Sequence, residues 1–364
     1  MRVLILSASI GSGHTKAAEA IGENFSGQAE IIDFMSREIS GLNWLTKKIY
    51  LAALNLIPDL YDRIYNFAGV RQVGPFTRLL SSASMYLPFA RLVENFSPDV
   101  IICTHPFPEA AASLWKFLHA KSKKNFLLAA VLTDYSLHGI WIYSEVDVYF
   151  VATEEMKREL AAQSRSNQEI YSLGIPISST FAEEKFPEQN VCKKILIMGG
   201  GLGLGSIEET LPEIDSLETS LKISVVAGQN EKLLSRIKKM QKNFRHEVEV
   251  LGYVENISEL MRSSDLLITK PGALTMTEAF AVGLPMLLHS PIPGPEAKNA
   301  EFAISNGAAI SVGENKISSV VKEIFSDATK LEVMKAKAKK LGKIDAAKKI
   351  SERIEKIFTR QENL

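Results

Sequence analysis

The sequence predicts an α/β protein built from two doubly wound domains, and three observations carry that expectation. The chain has 364 residues, more than a single core usually organises. Apolar runs of strand length alternate with segments of helical period, first over roughly the leading half and again over the rest. Several of those runs end in glycine-rich or polar turns that open helices, and the carboxyl ends of strands are where open α/β sheets hold ligands.

Composition narrows the function. Apolar residues make up 46% of the chain, ample for two cores. Lys plus Arg and Asp plus Glu balance at 42 each, which excludes a nucleic-acid binder working through overall basicity, so no nucleic-acid partner is expected. Cys103 and Cys192 form no CxxC pair and read as reduced thiols of a cytosolic protein. The opening run Val3 to Leu6 is too short for a signal peptide and no later run has the length of a membrane span, so any membrane contact is expected to be peripheral.

In the first half, Val3 to Leu6 is a strand that Ser9-Ile10-Gly11-Ser12-Gly13-His14 turns into a helix carrying Ala17, Ala18 and Ile21. The turn lacks both the dinucleotide GxGxxG spacing and the GKS or GKT ending of a P-loop. His14 at its mouth reads either as a general base facing a cleft or as an ordinary helix N-terminal residue. Trp44, Leu45, Ile49, Ala52, Ala53 and Leu56 share a helical stripe beside Lys47 and Lys48, and Pro58 ends it. That stripe suits an anionic membrane surface, a greasy substrate entrance, or plain packing on a sheet. Strands follow at Asp99 to Cys103, Phe126 to Leu132, Asp147 to Ala152 and Ile170 to Leu173, with helices from Glu109 and from Thr153-Glu154-Glu155. Thr104-His105-Pro106 and Thr133-Asp134 lie at strand ends, and His138 and Trp141 come shortly after. Ser178 to Gln189 reads as a linker.

In the second half, the strand Lys194 to Met198 runs into Gly199-Gly200-Gly201-Leu202-Gly203-Leu204-Gly205, five glycines in seven residues, ahead of a helix from Ile207. So many glycines are entropically expensive unless something must approach the backbone closely. Further strands are Ile223 to Ala227, Val248 to Leu251, Leu266 to Ile268, Met286 to His289 and Ala308 to Val312. Tyr253 and Val254 follow a strand end whose exposed backbone groups could read a planar base edge. The turn Lys270-Pro271-Gly272-Ala273-Leu274-Thr275 leads to a helix over Met276 to Val282, and reads either as an ordinary strand-turn-helix with a capping threonine or as an anion site with Thr275 as its cap or as a phosphate ligand. Glu278, one turn on, is placed to accept paired hydroxyls such as those of a ribose. Pro291 to Asn299 is a rigid loop opening a helix that presents Glu296 and Asn299 on one face.

Taken in order, Gly11-Ser12-Gly13-His14 with Ala17-Ala18, Thr133-Asp134 with His138 and Trp141, Gly252-Tyr253-Val254, Lys270-Pro271-Gly272 through Glu278-Ala279, and Pro293-Gly294-Pro295-Glu296 through Asn299-Ala300 resemble glycosyltransferase family 28. Within it the resemblance is to the diacylglycerol glycosyltransferases, the monogalactosyldiacylglycerol synthases and processive diacylglycerol β-glucosyltransferases, over nearly the whole chain. It implies the GT-B architecture, two Rossmann-like domains facing across a cleft. Residues 1–180 would be the acceptor and membrane-facing domain, 190–345 the UDP-sugar domain, and 346–364 a helix crossing back to the first domain.

The resemblance also implies roles. Gly200, Gly201, Leu202 and Gly203 with Gly272, Ala273, Leu274 and Thr275 would lie at the diphosphate, Glu278 on the ribose, Tyr253 and Val254 at the uracil, Glu296 and Asn299 toward the hexose. His14 would be the general base of an inverting displacement, and Asp134 would orient the acceptor or stabilise the domain interior. Gly13, Trp44, Lys47, Lys48, His138 and Trp141 would serve the acceptor and the membrane. The implied partners are a UDP-hexose, diacylglycerol or a related lipid acceptor, and an anionic membrane surface on the cytoplasmic inner face, with no cofactor and no bound metal. Where the family usually has glutamine before the glutamate, this chain has Pro295, which offers neither an amide nor a side-chain donor and leaves the hexose open. Two related readings remain beside this one: a UDP-N-acetylglucosamine-dependent transferase acting on a lipid-linked peptidoglycan intermediate, and a UDP-N-acetylglucosamine 2-epimerase. A UDP-sugar sensor without turnover is the reading from another class.

Overall fold

The computed structural model describes residues 1–8, 12–25, 27, 29–35, 75–120, 125–164, 166–183, 192–201, 203, 207–289, 295–312 and 316–362, with only the helical backbone of 75–84 and 295. The chain divides into one unit of Met1–Ser178 with Asp345–Leu364 and another of Ser179–Ile344.

The first unit contains β1 (Val3–Ser7), α1 (Ser12–Gly22), β2 (Ala29–Asp33), α2 (Pro75–Phe96), β3 (Val100–Cys103), α3 (Pro106–Leu118), β4 (Leu127–Val131), β5 (Val148–Phe150), α4 (Glu154–Ala161) and β6 (Glu169–Tyr171). Its strands form a parallel six-stranded sheet in the order β2-β1-β3-β4-β5-β6. The continuous apolar runs of β1, β3 and β4 are fully buried, as strands covered on both faces must be. Helix starts follow local chemistry. Thr153 caps α4 by accepting from the Met156 N–H at 3.1 Å, and Glu154 and Glu155 meet the positive end of the dipole. The third helix begins at Pro106, three residues ahead of the Glu109 start expected from sequence. Proline suits a first helical position and His105 caps it from the preceding residue. The sequence alone marks neither β2 nor α2. The first is a short edge strand interrupted by Glu30 and defined by its register with β1, and the second continues through Pro88, a residue that ordinarily breaks helices.

The second unit contains β7 (Lys193–Met198), α5 (Ile207–Asp215), β8 (Leu221–Val226), α6 (Glu231–Met240), β9 (Glu247–Leu251), α7 (Ile257–Arg262), β10 (Leu266–Thr269), α8 (Ala273–Val282), β11 (Met286–Leu288), α9 (Pro295–Ser305), β12 (Ala309–Ser311), α10 (Ile317–Ser326) and α11 (Ala328–Leu341). Its parallel sheet runs β12-β11-β10-β7-β8-β9, the dinucleotide-fold order of six strands. Gly283 ends α8 in the left-handed region at φ 68°, and the Leu284 N–H reaches back to the Ala279 carbonyl at 2.8 Å. Residues Ser179–Ala182 form a 3-10 turn with Phe181 buried, and Arg262 donates to the Thr180 carbonyl. The start of the stretch that sequence reads as linker is therefore packed, because it carries an apolar anchor.

The last helix, α12 (Ala346–Glu362), belongs to the first unit: Ile350, Ile354 and Ile357 enter the core formed by Val3, Ile5, Ala18 and Ile21. Arg353 lies 4.5 Å from the Tyr171 ring centre and Arg360 pairs with Glu169, fixing the helix along the β6 edge. No helix among the described residues is long and apolar enough to cross a membrane.

Each sheet has one place where the chain reverses its direction of winding. In the first unit it lies between β1 and β3, and in the second between β7 and β10. The loops leaving those paired strands are where a doubly wound sheet opens a crevice.

Candidate active site

At the β1/β3 switch point, α1 carries His14 beside the end of β3. Its Nδ1 lies 2.9 Å from the Thr104 carbonyl oxygen and 2.7 Å from the Thr133 hydroxyl. A carbonyl oxygen can only accept, so Nδ1 holds the proton and Nε2 keeps its lone pair. The Thr104 hydroxyl donates in return to the His14 carbonyl at 3.0 Å, so the ring and its backbone are held from one residue. The His105 ring stands edge-on to His14 with 4.6 Å between centroids, and its Nδ1 accepts the Phe107 N–H at 3.1 Å. Burial lowers the His14 pKa, against the opposing charge of Asp134 and the Thr104 hydrogen bond. His105 is held well below the ordinary histidine value by burial and by its neighbour His14. A neutral imidazole with one nitrogen anchored and the other holding a lone pair is chemically able to take a proton at neutral pH. On the same strand end, burial and the charge of Glu109 push the Cys103 thiol well up, which makes it a poor nucleophile.

At the β7/β10 switch point, Gly272 is the N-cap of α8 without a side-chain capping bond. The helical ladder opens with the Met276 N–H on the Gly272 carbonyl at 3.0 Å, so the amides of Ala273, Leu274 and Thr275 precede it as first-turn donors. Together with the dipole they form an anion-binding end. Thr275 is inside this first turn and is not the cap, because the helix starts three residues earlier than its apolar pattern suggests. Gly200, at φ +70°, comes from the end of β7, and a Cβ there would stand 3.7 Å from Lys270 Cε. A Cβ on Gly272 would stand 4.0 Å from Lys270 Nζ. Lys270 in turn pairs with Glu296 at the start of α9, so three loop ends converge on one lysine.

Not every glycine faces this crevice. Gly203 has φ +59°, and a Cβ there would lie 2.0 Å from the Ala227 carbonyl oxygen. Close packing on the end of β8 accounts for that glycine without any ligand. Gly203→Ala is expected to destabilise the second unit by about 1–3 kcal/mol through the backbone angle alone, with the carbonyl clash in addition. Gly200→Ala lacks the clash and should lose less. Equal urea midpoints for the two variants would refute this packing account.

The remaining candidates are placed as follows. Tyr253 is 46% exposed and Val254 half-buried in the loop after β9. Glu278 is half-buried one turn into α8, Leu274 is half-buried, and the Gly201 carbonyl accepts the Gln229 N–H at 3.0 Å. Asn299 is 1% exposed inside α9, in contrast to the half-buried Glu296 one turn before it. Gly13, next to His14 in α1, and Asp134, in the loop after β4 with its charge acting on His14, are half-buried. His138 caps a 3-10 turn over Gly139–Trp141 by accepting the Ile140 N–H at 3.3 Å. Trp141 is 3% exposed, and its carbonyl accepts from the Tyr149 hydroxyl at 3.0 Å. Leu202, Trp44, Lys47 and Lys48 lie outside the described residues. The sequence reading assigned no role to Thr104, Thr133, His105 or Lys270. The available signal was that each comes within two residues of the end of a buried strand, but their convergence depends on β1 pairing β3, β3 pairing β4 and β7 pairing β10.

Comparison with known proteins follows the same division. Residues 14–177 match the model of the monogalactosyldiacylglycerol (MGDG) synthase family, and residues 194–354 match that of the glycosyltransferase family 28 C-terminal domain. The processive diacylglycerol beta-glucosyltransferase of Bacillus pumilus (strain SAFR-032) is 31% identical, over 93% of this chain and 91% of the relative. The enzyme of the same name from Bacillus cereus (strain B4264) is 33% identical over 93% and 89%. Among solved structures, MurG of Acinetobacter baumannii superposes with a TM-score of 0.64 at 17% identity, covering 98% of this chain and all of the other. The UDP-GlcNAc 2-epimerase of Neisseria meningitidis, bound to UDP-GlcNAc, gives 0.59 at 16% identity over 98% of this chain and 100% of that one.

Proposed function

The chain belongs to glycosyltransferase family 28 and, within it, to the diacylglycerol glycosyltransferases with their GT-B pair of Rossmann-like domains, and from that premise we propose that it transfers a hexose from a UDP-sugar to the hydroxyl of diacylglycerol. The observation that carries the mechanism is the Nδ1–H of His14 held on the Thr104 carbonyl, which leaves Nε2 to take a proton. In this reading Nε2 accepts the acceptor hydroxyl proton as that oxygen forms its bond to the anomeric carbon. The bond from that carbon to the phosphate oxygen breaks, its electron pair leaves with UDP, and the anomeric centre inverts. The α8 amides meet the charge that develops on the diphosphate, which requires no bound metal.

The other residues follow the donor's parts. Glu278 takes the ribose hydroxyls and Tyr253 with Val254 the uracil. Glu296 faces the hexose, with Pro295 unable to supply the hydrogen bond a glutamine would and Asn299 buried in α9 one turn behind it. Asp134 orients the acceptor beside His14. The enzyme works peripherally at the inner face of the cell membrane, where Trp44, Lys47 and Lys48 meet anionic lipid.

The test is a donor screen. UDP-glucose, UDP-galactose and UDP-N-acetylglucosamine are each offered with diacylglycerol vesicles, and the lipids are resolved by thin-layer chromatography. A glycosyldiacylglycerol from one of these donors is expected. Transfer confined to a lipid-linked peptidoglycan intermediate, epimerised sugar without an acceptor, or UDP-sugar binding without turnover would each replace this reading.

A further inference from the structure

Two imidazoles stand side by side at the β1/β3 switch point, and the proposed reaction uses only one of them. The His14 and His105 rings meet edge-on with 4.6 Å between centroids, and His105 is 6% exposed. Their Nδ1 atoms make opposite bonds to one turn. Nδ1 of His14 donates to the Thr104 carbonyl at 2.9 Å, whereas Nδ1 of His105 accepts the Phe107 N–H at 3.1 Å. We propose that His105 sets acceptor specificity: its Nε2–H donates to an oxygen on the carbon next to the one bearing the reacting hydroxyl, the place of the inner ester in a 1,2-diacylglycerol. The proposal deepens the acceptor reading given above and rests on it.

The tautomers follow from the partners. A backbone N–H can only donate, so Nδ1 of His105 holds a lone pair and the neutral ring carries its proton on Nε2. Burial and the neighbouring His14 hold His105 well below the ordinary histidine value, so the neutral form persists at neutral pH. His14 is the reverse, with its proton on Nδ1 and a lone pair on Nε2. Both Nδ1 edges are taken up by the turn of residues 104–107, and the opposite edges carry one acceptor and one donor. Among the described residues no hydrogen bond occupies either Nε2. Two adjacent histidines could suggest a shared metal ion, but each ring would have to offer it a lone pair, and that of His105 is committed to Phe107.

An acceptor beside a donor reads a hydroxyl that has an oxygen on the next carbon. The hydroxyl donates to His14 and the neighbouring oxygen accepts from His105, two directed bonds that fix how the hydroxyl is presented. A long-chain alcohol makes the first bond and lacks the second. Bound there, it leaves the N–H of a largely buried ring unpaired, and a site built around a polar contact rejects the analogue that cannot complete it.

The competing account is that His105 only caps α3. His105→Asn separates the two, because asparagine also caps helices through a side-chain oxygen but has no atom at the Nε2 position. Transfer is measured, with the donor that the screen identifies, to 1,2-dioleoylglycerol and to oleyl alcohol in phosphatidylcholine vesicles. The ratio of kcat/KM for the two acceptors cancels any loss common to both. The wild type is expected to favour the diacylglycerol by tenfold or more. His105→Asn should lower that ratio at least tenfold at a urea midpoint close to the wild type's, and His105→Gln, whose amide nitrogen reaches the Nε2 position, should recover most of it. A wild type that uses both acceptors equally, or a His105→Asn variant with the wild-type ratio or with neither activity, overturns the assignment and leaves the acceptor reading standing. Transfer by the wild type to neither lipid removes that reading and this inference together.

Discussion

His14→Ala is expected to lower transfer by about two to four orders of magnitude while leaving UDP affinity unchanged. The two readouts separate because His14 belongs to the first unit and the proposed donor site to the second. The size of the effect follows from the ring's setting. Nδ1 is already committed to the Thr104 carbonyl and the Thr133 hydroxyl, so Nε2 alone is available to move a proton. His14→Gln keeps some polarity but no comparable base, and should be as inactive as alanine. The pH profile carries the same signature. Burial holds the imidazole below the ordinary value of 6.5, so the active neutral form persists as pH falls to that value and is lost only at lower pH, through the folded-state pKa. The acid limb of kcat/KM is therefore expected below 6.5. Stability moves the same way, because His14 and His105 bind protons more readily in the unfolded chain, so acidification below about 6.5 favours unfolding. An acid limb above 6.5, or a His14→Ala enzyme with wild-type turnover, would sink the role given to this residue.

Much of this site was legible in the sequence because its residues follow buried strands directly. Apolar runs such as Val100 to Cys103 and Leu266 to Thr269 announce a strand whatever surrounds them, and a doubly wound sheet puts function at their carboxyl ends. Strand order is a different kind of information. Nothing in the spacing of Thr104 from His14 says that β1 and β3 are neighbours, so the anchor that fixes the imidazole tautomer is visible only in the folded chain. The same holds for Lys270. It is part of the turn that sequence singles out, yet its partner Glu296 lies 26 positions on and meets it only because α8 and α9 start on the same side of the sheet. Edge elements were harder still. Strand β2 is a five-residue edge strand with Glu30 and Asp33 interrupting its apolar residues and only Ile32 buried, so its identity comes from pairing with β1 and not from its own pattern. The glycine-rich loop carries more than one demand: Gly203 is required by its φ of +59° and by the Ala227 carbonyl, and Gly200 by its φ of +70°.

Removing α12 by ending the chain at Asp345 is expected to unfold the first unit while the second keeps its structure. Ile350, Ile354 and Ile357 recur at helical spacing and are buried with Val3, Ile5, Ala18 and Ile21. Burying each such side chain is worth about 1.5–3 kcal/mol, so the three together contribute roughly 5–9 kcal/mol, comparable to the whole stability of a typical domain. The Arg360 pair with Glu169 and the Arg353 contact with Tyr171 disappear too, though exposed pairs of that kind add little. Ile354→Ala is the milder form and should destabilise by about 2–5 kcal/mol. The readout is specific, because the second unit's span contains no tryptophan, while Trp115 and Trp141 are buried in the first unit and report its unfolding. A truncated chain whose tryptophan transition in urea coincides with that of the full chain would show that the helix is an appendage. Coincident loss of the tryptophan transition and of transfer, with UDP binding retained, would establish that residues at the far end of the sequence complete the core on which His14 is mounted.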